Sequence, residues 1–394
     1  MSGHHSTIES MKKPLPANIS NIGWGFLLLG AGCYAVGYLV DVRHAAFAHV
    51  INFLFLTSIG VGALFLIALE YIAGAVWSVP MRRVNEFLAA LIPVAALMAL
   101  PLFFHLNDLY QWMNAETIAH DTVLKIKEPY LNPKFFTIRF IIVFGLWTLF
   151  YYLFTRNSLK QDVDKDQNHT RLNIRLAAAF IPIFAIGLTL VAIDWAMSLE
   201  PHWYSTIYGV YYFSGTVLTG VAAATYITVK LYEHGYFPQL RRDHFYSLGT
   251  LLFVFVNFWA YIAFSQFLLV WYANLPEETY WFIARWNNGW EYISVLLIIV
   301  HFAVPYFILL SQDSKMDLKR LKFISIWILF AHLLDLYWLV MPSYSTSPAL
   351  SWIEISFPFL IIGLVVVIFA WKMKRQNLIP IGDPKLERGL EFRL

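Results

Sequence analysis

Two aspartates stand in surroundings where a carboxylate is costly. Asp194 opens DWAMSLEPHWYST (194–206) and Asp335 opens DLYWLVMPSYST (335–346), each at the end of a long apolar run. In both, a proline follows seven residues on (Pro201, Pro342), and then comes Tyr-Ser-Thr, one residue sooner in the second copy. An Asp inside a membrane helix costs about 2.5–3.5 kcal/mol on insertion scales, so its recurrence at matching places marks a repeated, function-bearing helix. The chemistry such a group does is proton exchange. Apolar walls disfavour the charged form, and a positioned carboxylate can then take up and release a proton near neutral pH.

Other polar residues fall near the same ends of their apolar runs: Arg139, His105 and Asp108, Glu200 and His202, and His332, which lies three residues before Asp335 and shares its helix face. Together they would make one polar cluster on one side of the protein, a proton path or a quinone pocket. The plainer alternative is that Arg139 pairs with an Asp while the histidines donate hydrogen bonds at helix ends. Of the two aspartates, Asp194 is expected to matter more. Glu70 lies towards the opposite side, where it would admit protons, snorkel to the interface or pair with Lys230. His301 lies at a depth similar to His332, and two such histidines raise the question of a haem. Val300, Phe302 and Val304 crowd His301, which favours a buried histidine bonded to a neighbouring helix. Trp195, Trp203, Tyr204, Tyr208, Tyr211 and Tyr212 read as an interfacial aromatic belt.

The elements that must position these residues follow from composition. Of 394 residues, 59% are hydrophobic and only 13% charged, about half the charge of a soluble domain. The apolar residues form ten blocks of bilayer-spanning length, about 22–40, 45–76, 84–105, 134–153, 174–199, 207–231, 246–272, 290–311, 322–341 and 353–373. The expectation is an all-α integral membrane protein with polar tails at 1–21 and 374–394. Cys33 is the one cysteine, which excludes an internal disulfide, a Cys-ligated cluster and a Cys-based zinc site. LLLGAGC, ending at Cys33, loosely resembles a lipoprotein cleavage site, but Gly30 stands where Leu is expected, so the first block reads as a retained anchor. No phosphate-cradling Gly loop and no basic helix with stacking aromatics points to nucleic acid.

Lys and Arg give a direction. The two tails and the even-numbered loops together hold 22 of the 28 basic residues, so both termini are expected on the cytoplasmic side. Asp194 and Asp335 then lie towards the outside. Gly60-Val61-Gly62-Ala63 in the second block matches Gly220-Val221-Ala222-Ala223 in the sixth, ten residues ahead of Glu70 and Lys230 respectively. The blocks therefore divide into two parallel four-helix bundles, spans two to five (about 45–199) and six to nine (about 207–341), with spans one and ten flanking them within 22–373.

The phrase IDWAMSLEPHWYSTIYGVYYFSG (193–215), set in ten spans of this arrangement, resembles the NrfD/polysulphide-reductase membrane subunits. More closely it is similar to the second, shorter ten-span subunit of alternative complex III, the bacterial quinol:cytochrome c oxidoreductase. The resemblance covers the spans throughout and carries over Asp194, its repeat partner Asp335 and Arg139. It implies a bacterial inner-membrane location, with quinol a candidate substrate, while the one cysteine and the lack of a convincing His pair add the expectation of no cofactor bound covalently or by ligation. The implied partners are a multihaem cytochrome, a periplasmic iron–sulphur protein, a monohaem cytochrome, a larger quinol-oxidising sister subunit, often a terminal cytochrome oxidase, and membrane lipids.

Intramembrane carboxylates within repeats also suit a proton-coupled secondary transporter. Transporter sites gather at the midplane on Gly- or Pro-broken helices. Here the acids lie off-centre, Pro182 is twelve residues from Asp194, and Pro305 is remote from both acids in the sequence. The enzyme-complex reading is therefore preferred.

Overall fold

The computed structural model describes residues 13–394 and is all-helical. Ten helices are long and apolar enough to cross a membrane: Ala17–Val40, Val42–Ala73, Val79–Phe104, Pro133–Asp164, Gln167–Leu199, Tyr208–Glu233, Arg242–Ala273, Trp290–Leu309, Leu318–Ser343 and Trp352–Arg375, here called the first to tenth spans. Each matches one apolar block. The first begins at Ala17, inside what the sequence assigns to a polar tail, and the fourth continues to Asp164, eleven residues past the expected end. That extension is amphipathic: Thr155, Asn157, Ser158 and Gln161 are buried, and on the fifth span Asn157 donates to Asn173 (2.8 Å) and Gln161 to Thr170 (2.7 Å). Apolar runs mark only the lipid-depth part of a helix, so such polar extensions escape a hydropathy reading.

The second and sixth spans form the centre. The most apolar stretch of the second is entirely buried, and it packs on the sixth along their length. The two backbones cross at Gly62 and Gly220, where a Cβ on Gly62 would lie 2.5 Å from the Thr216 carbonyl oxygen and one on Gly220 2.7 Å from the Gly62 carbonyl carbon. Small residues at a crossing are how membrane helices approach closely without a hydrophobic driving force between them. The third and fifth spans pack on the second, the seventh on the sixth, and the ninth on both central helices. The first and tenth spans pack on each other; a Cβ on Gly30 would meet the backbone of Leu360, and one on Gly363 that of Leu27.

Loop contacts sort the chain into two sides. On one, Arg83 at the start of the third span donates to Asp162 at the end of the fourth (2.7 Å), and Lys322 of the ninth span to Glu233 of the sixth (2.6 Å). On the other, Lys127 donates to the Pro201 carbonyl (2.5 Å), and Trp203 to the Glu278 carbonyl (3.1 Å). The C-terminal residues lie across the first side instead of hanging from it. Arg82 donates to Asp383 (2.6 Å), the Gly382 N–H to Asp162 (3.2 Å), and His244 to the Gly389 carbonyl (2.8 Å).

Candidate functional site: a buried histidine–aspartate cluster

The ninth span carries His332 and Asp335 on one face, both buried, with His332 Nδ1 3.8 Å from Asp335 Oδ2. Against them stands His301 of the eighth span, and the three side chains offer ligand-type atoms within 4.8 Å of one another. Asp335 has no cation beside it. Its Oδ1 accepts from the Tyr211 hydroxyl at 2.5 Å and its Oδ2 from the Trp259 indole N–H at 3.1 Å. His332 Nε2 lies 3.1 Å from Ser58 Oγ, which is within hydrogen-bond reach of Tyr212 (3.2 Å) and Thr216 (3.3 Å). Five helices meet here, and the central pair supplies four of the polar residues, Ser58, Tyr211, Tyr212 and Thr216.

Local sequence explains how each group is aimed. Pro305 lacks the N–H that would bond the His301 carbonyl, and the chain widens into a π-helical turn at Ile298–Ala303 that carries His301. Its ring stands edge-on to Trp259 (centroids 3.9 Å) and nearly parallel to the His332 ring (6.3 Å, 24°). Among the described residues neither His301 nitrogen has a hydrogen-bond partner, and neither does His332 Nδ1. Gly215 makes room for the imidazole: a Cβ there would stand 2.7 Å from His332 Cε1 and 2.8 Å from Nδ1. Buried polar atoms without partners are uncommon, and three in one cluster mark a place that water, a proton or a polar ligand completes. Two histidines and a carboxylate also make a donor set that zinc accepts, and each Asp335 oxygen keeps a lone pair beyond the hydrogen bond it accepts.

Asp194 has a different setting. It too lies on a π-helical turn, Ala192–Ala196, and is buried. Arg139 Nε donates to its Oδ2 (2.7 Å) and Nη2 to its Oδ1 (2.9 Å), a bidentate pair. The remaining nitrogen, Nη1, donates to the Tyr130 carbonyl (2.9 Å), while the guanidinium stacks on the Tyr130 ring (3.8 Å). The pairing of Arg139 with an Asp, the plainer alternative in the sequence, is what the geometry holds.

The single polar cluster expected from the sequence is four separate groups. Arg139 and Asp194 form one, and His301, His332 and Asp335 another. His105 pairs with Asp108 (3.2 Å) and stacks on Tyr38, while His202 pairs with Asp121 (2.6 Å); both of these pairs reach the surface. Glu70, on the opposite side, is 5% exposed and neither snorkels nor pairs with Lys230. It accepts from Arg82, which also holds Asp383, and Lys230 faces Glu233 instead. A cavity of about 250 Å³ opens beside Glu70, walled by the second, third, sixth and seventh spans and containing the unpartnered Ser78 hydroxyl and Asn85 amide oxygen.

Sequence reasoning missed Tyr211, Tyr212, Trp259 and Ser58. Tyr211 and Tyr212, assigned to an aromatic belt, are buried, and Tyr212 donates to the Leu54 carbonyl (3.0 Å). The available signal was Gly215, four residues on from Tyr211 and therefore on the same helix face. No family model matches this chain, and no curated protein matches it. What the fold and the site define together is a multi-pass, all-helical membrane protein with a titratable cluster buried among its central helices.

Proposed function

We propose that this chain is an integral membrane subunit of a respiratory quinol:cytochrome c oxidoreductase of the alternative complex III type. In this reading it carries no redox cofactor of its own and contributes a quinol pocket, a proton-conducting path, or both. One observation carries the reading: Asp335 is buried beside His332 and His301 with neutral donors, Tyr211 and Trp259, where a structural acid would have a cation. Oxidising a quinol releases protons as well as electrons, so its site needs acceptors that change charge inside apolar walls. The unpartnered nitrogens of His301 and His332 supply such acceptors. The resemblance around Asp194 adds the electron-transfer setting, a bacterial inner membrane, and the Lys and Arg distribution puts both termini on its cytoplasmic side.

Purification of the tagged chain from its own membrane in mild detergent tests this. The expected companions are a multihaem cytochrome, an iron–sulphur protein, a monohaem cytochrome and a second, larger ten-span subunit. A chain that purifies alone, with no haem stain at any level of loading, overturns the assignment.

One observation favours a second reading, the proton-coupled transporter. The π-helical break at His301 is next to Pro305 inside the membrane and beside the buried acid, as broken helices are in transporters. A lone chain that moves protons with a solute in vesicles would support it.

A further inference from the structure

We propose that the groove between the fourth and tenth spans is a binding site for an anionic phospholipid. The groove, about 640 Å³, lies on the side that gathers most of the basic residues. Arg156 and Lys160 stand one helical turn apart on the fourth span, and Lys372 faces them from the tenth. Among the described residues, none of these three cations has a carboxylate partner within ion-pair distance. Lys372 instead donates to the Tyr151 hydroxyl (2.6 Å), and the groove's one acid, Asp164, is engaged by His169 (2.8 Å).

The walls suit the rest of a lipid. Tyr152 is exposed in the groove, with Leu149 exposed one turn deeper on the same membrane-spanning helix. Three cations at the interface, above an apolar wall that runs down into the bilayer, complement a phosphate head above acyl chains. Basic pockets between spans are where headgroups such as cardiolipin's bind, and each Lys or Arg contributes about 1 kcal/mol near a charged surface. Zwitterionic lipids carry their own cation and gain far less from the same site. This inference is independent of whether the chain belongs to a respiratory complex.

The experiment uses the full chain, in whatever assembly it purifies, with bound phospholipid quantified by mass spectrometry after exchange into detergent. Cardiolipin, phosphatidylglycerol and phosphatidylcholine are then titrated back. The expected result is retained anionic lipid, rebinding of cardiolipin or phosphatidylglycerol in preference to phosphatidylcholine, and about thirtyfold weaker rebinding in Arg156→Gln/Lys160→Gln, about fivefold for each charge removed. Both side chains are exposed, so the double variant tests the charges without opening the core. Lys125→Gln/Lys134→Gln, an equal charge loss on the other side, should leave rebinding unchanged. Equal affinity for all three lipids, or equal weakening in the two double variants, overturns the proposal. So does cross-linking of the groove to another protein subunit in the native assembly.

Discussion

Arg139 grips Asp194 through two parallel hydrogen bonds, whereas Asp335, its counterpart in the sequence repeat, has no cation within reach. The repeated motif thus serves two purposes. In the first copy the carboxylate is locked into a buried ion pair that ties the fifth span to the fourth. In the second it stays available, held by two neutral donors and beside two histidines.

This reverses the order expected from the sequence, in which Asp194 mattered more for turnover. Asp194→Asn leaves the half-buried Arg139 guanidinium without its carboxylate, a loss smaller than the about 3–5 kcal/mol of breaking a fully buried pair. The expected outcome is a lower melting temperature and poor recovery of assembled protein. Asp335→Asn removes ionisation without stranding a charge, so assembly should hold while, under the proposed function, quinol:cytochrome c turnover and its proton release fall. The measurements are thermal melting and vesicle assays on both variants. Normal turnover in a fully assembled Asp335→Asn protein would reduce the cluster to a structural one.

How far the sequence could carry the site is visible in these two residues. Membrane spans are legible because a bilayer demands about 20 apolar residues in a row, and all ten blocks correspond to helices. The cost of a buried acid is local, so Asp194 and Asp335 stood out. Which cation or donor meets them is decided by packing between helices far apart in the chain: Tyr211 is 124 residues from Asp335, and Ser58 is 274 from His332. Tyrosines and serines are common in spans and on belts, so nothing in their own neighbourhood distinguishes them. Glu70 shows the same limit. Lys230, its counterpart at the repeat position, has the right charge, but the chain turns after the second span and brings Arg82 back onto it.

Topology is tested with single cysteines, and burial decides where they go. Ser158 and Ser314, each in a basic loop, are 2% and 4% exposed and would report poorly. Asn168 and Asp313 are exposed on the same side, and Glu277 is exposed on the other. In a Cys33→Ser background, Asn168→Cys and Asp313→Cys should react with an impermeant maleimide only from the cytoplasmic side, and Glu277→Cys only from outside. Labelling of Asn168→Cys in intact cells would invert the orientation.

A pH response follows from the surface pair of Asp121 and His202. The hydrogen bond from His202, helped by the backbone N–H groups of Leu124 and Val123, holds the Asp121 carboxyl below its ordinary range. A carboxyl so lowered binds fewer protons folded than unfolded. Its contribution is therefore complete above the ordinary Asp value, about 3.9, and is lost as pH falls through the lower folded value. Amide protection in the peptide 115–131, taken relative to the intrinsic exchange rate at each pH, should be flat from neutral pH down to about 4 and fall below it. Asp121→Asn should lower protection across that whole range. A wild-type protein whose protection in this segment already falls between neutral pH and the ordinary Asp value would contradict the account.

The sharpest test of the cluster leaves every titratable group in place. Gly215 faces His332 so closely that a methyl group there would sit 2.7 Å from Cε1, the ring atom bonded to the Nε2 that contacts Ser58. Gly215→Ala gains about 0.5–1 kcal/mol from helix propensity and loses about 1–3 kcal/mol to overpacking, so the fold should survive at modest cost. The imidazole must move, either off Ser58 or out of register with Asp335. Turnover and proton release should therefore fall more than the melting temperature does. Gly25→Ala is the matched control, because a Cβ there meets nothing within 4 Å, and it should leave both activity and stability at or above the wild type. If Gly215→Ala melts and turns over as the control does, the position of His332 is not needed, and the cluster is not the proton acceptor.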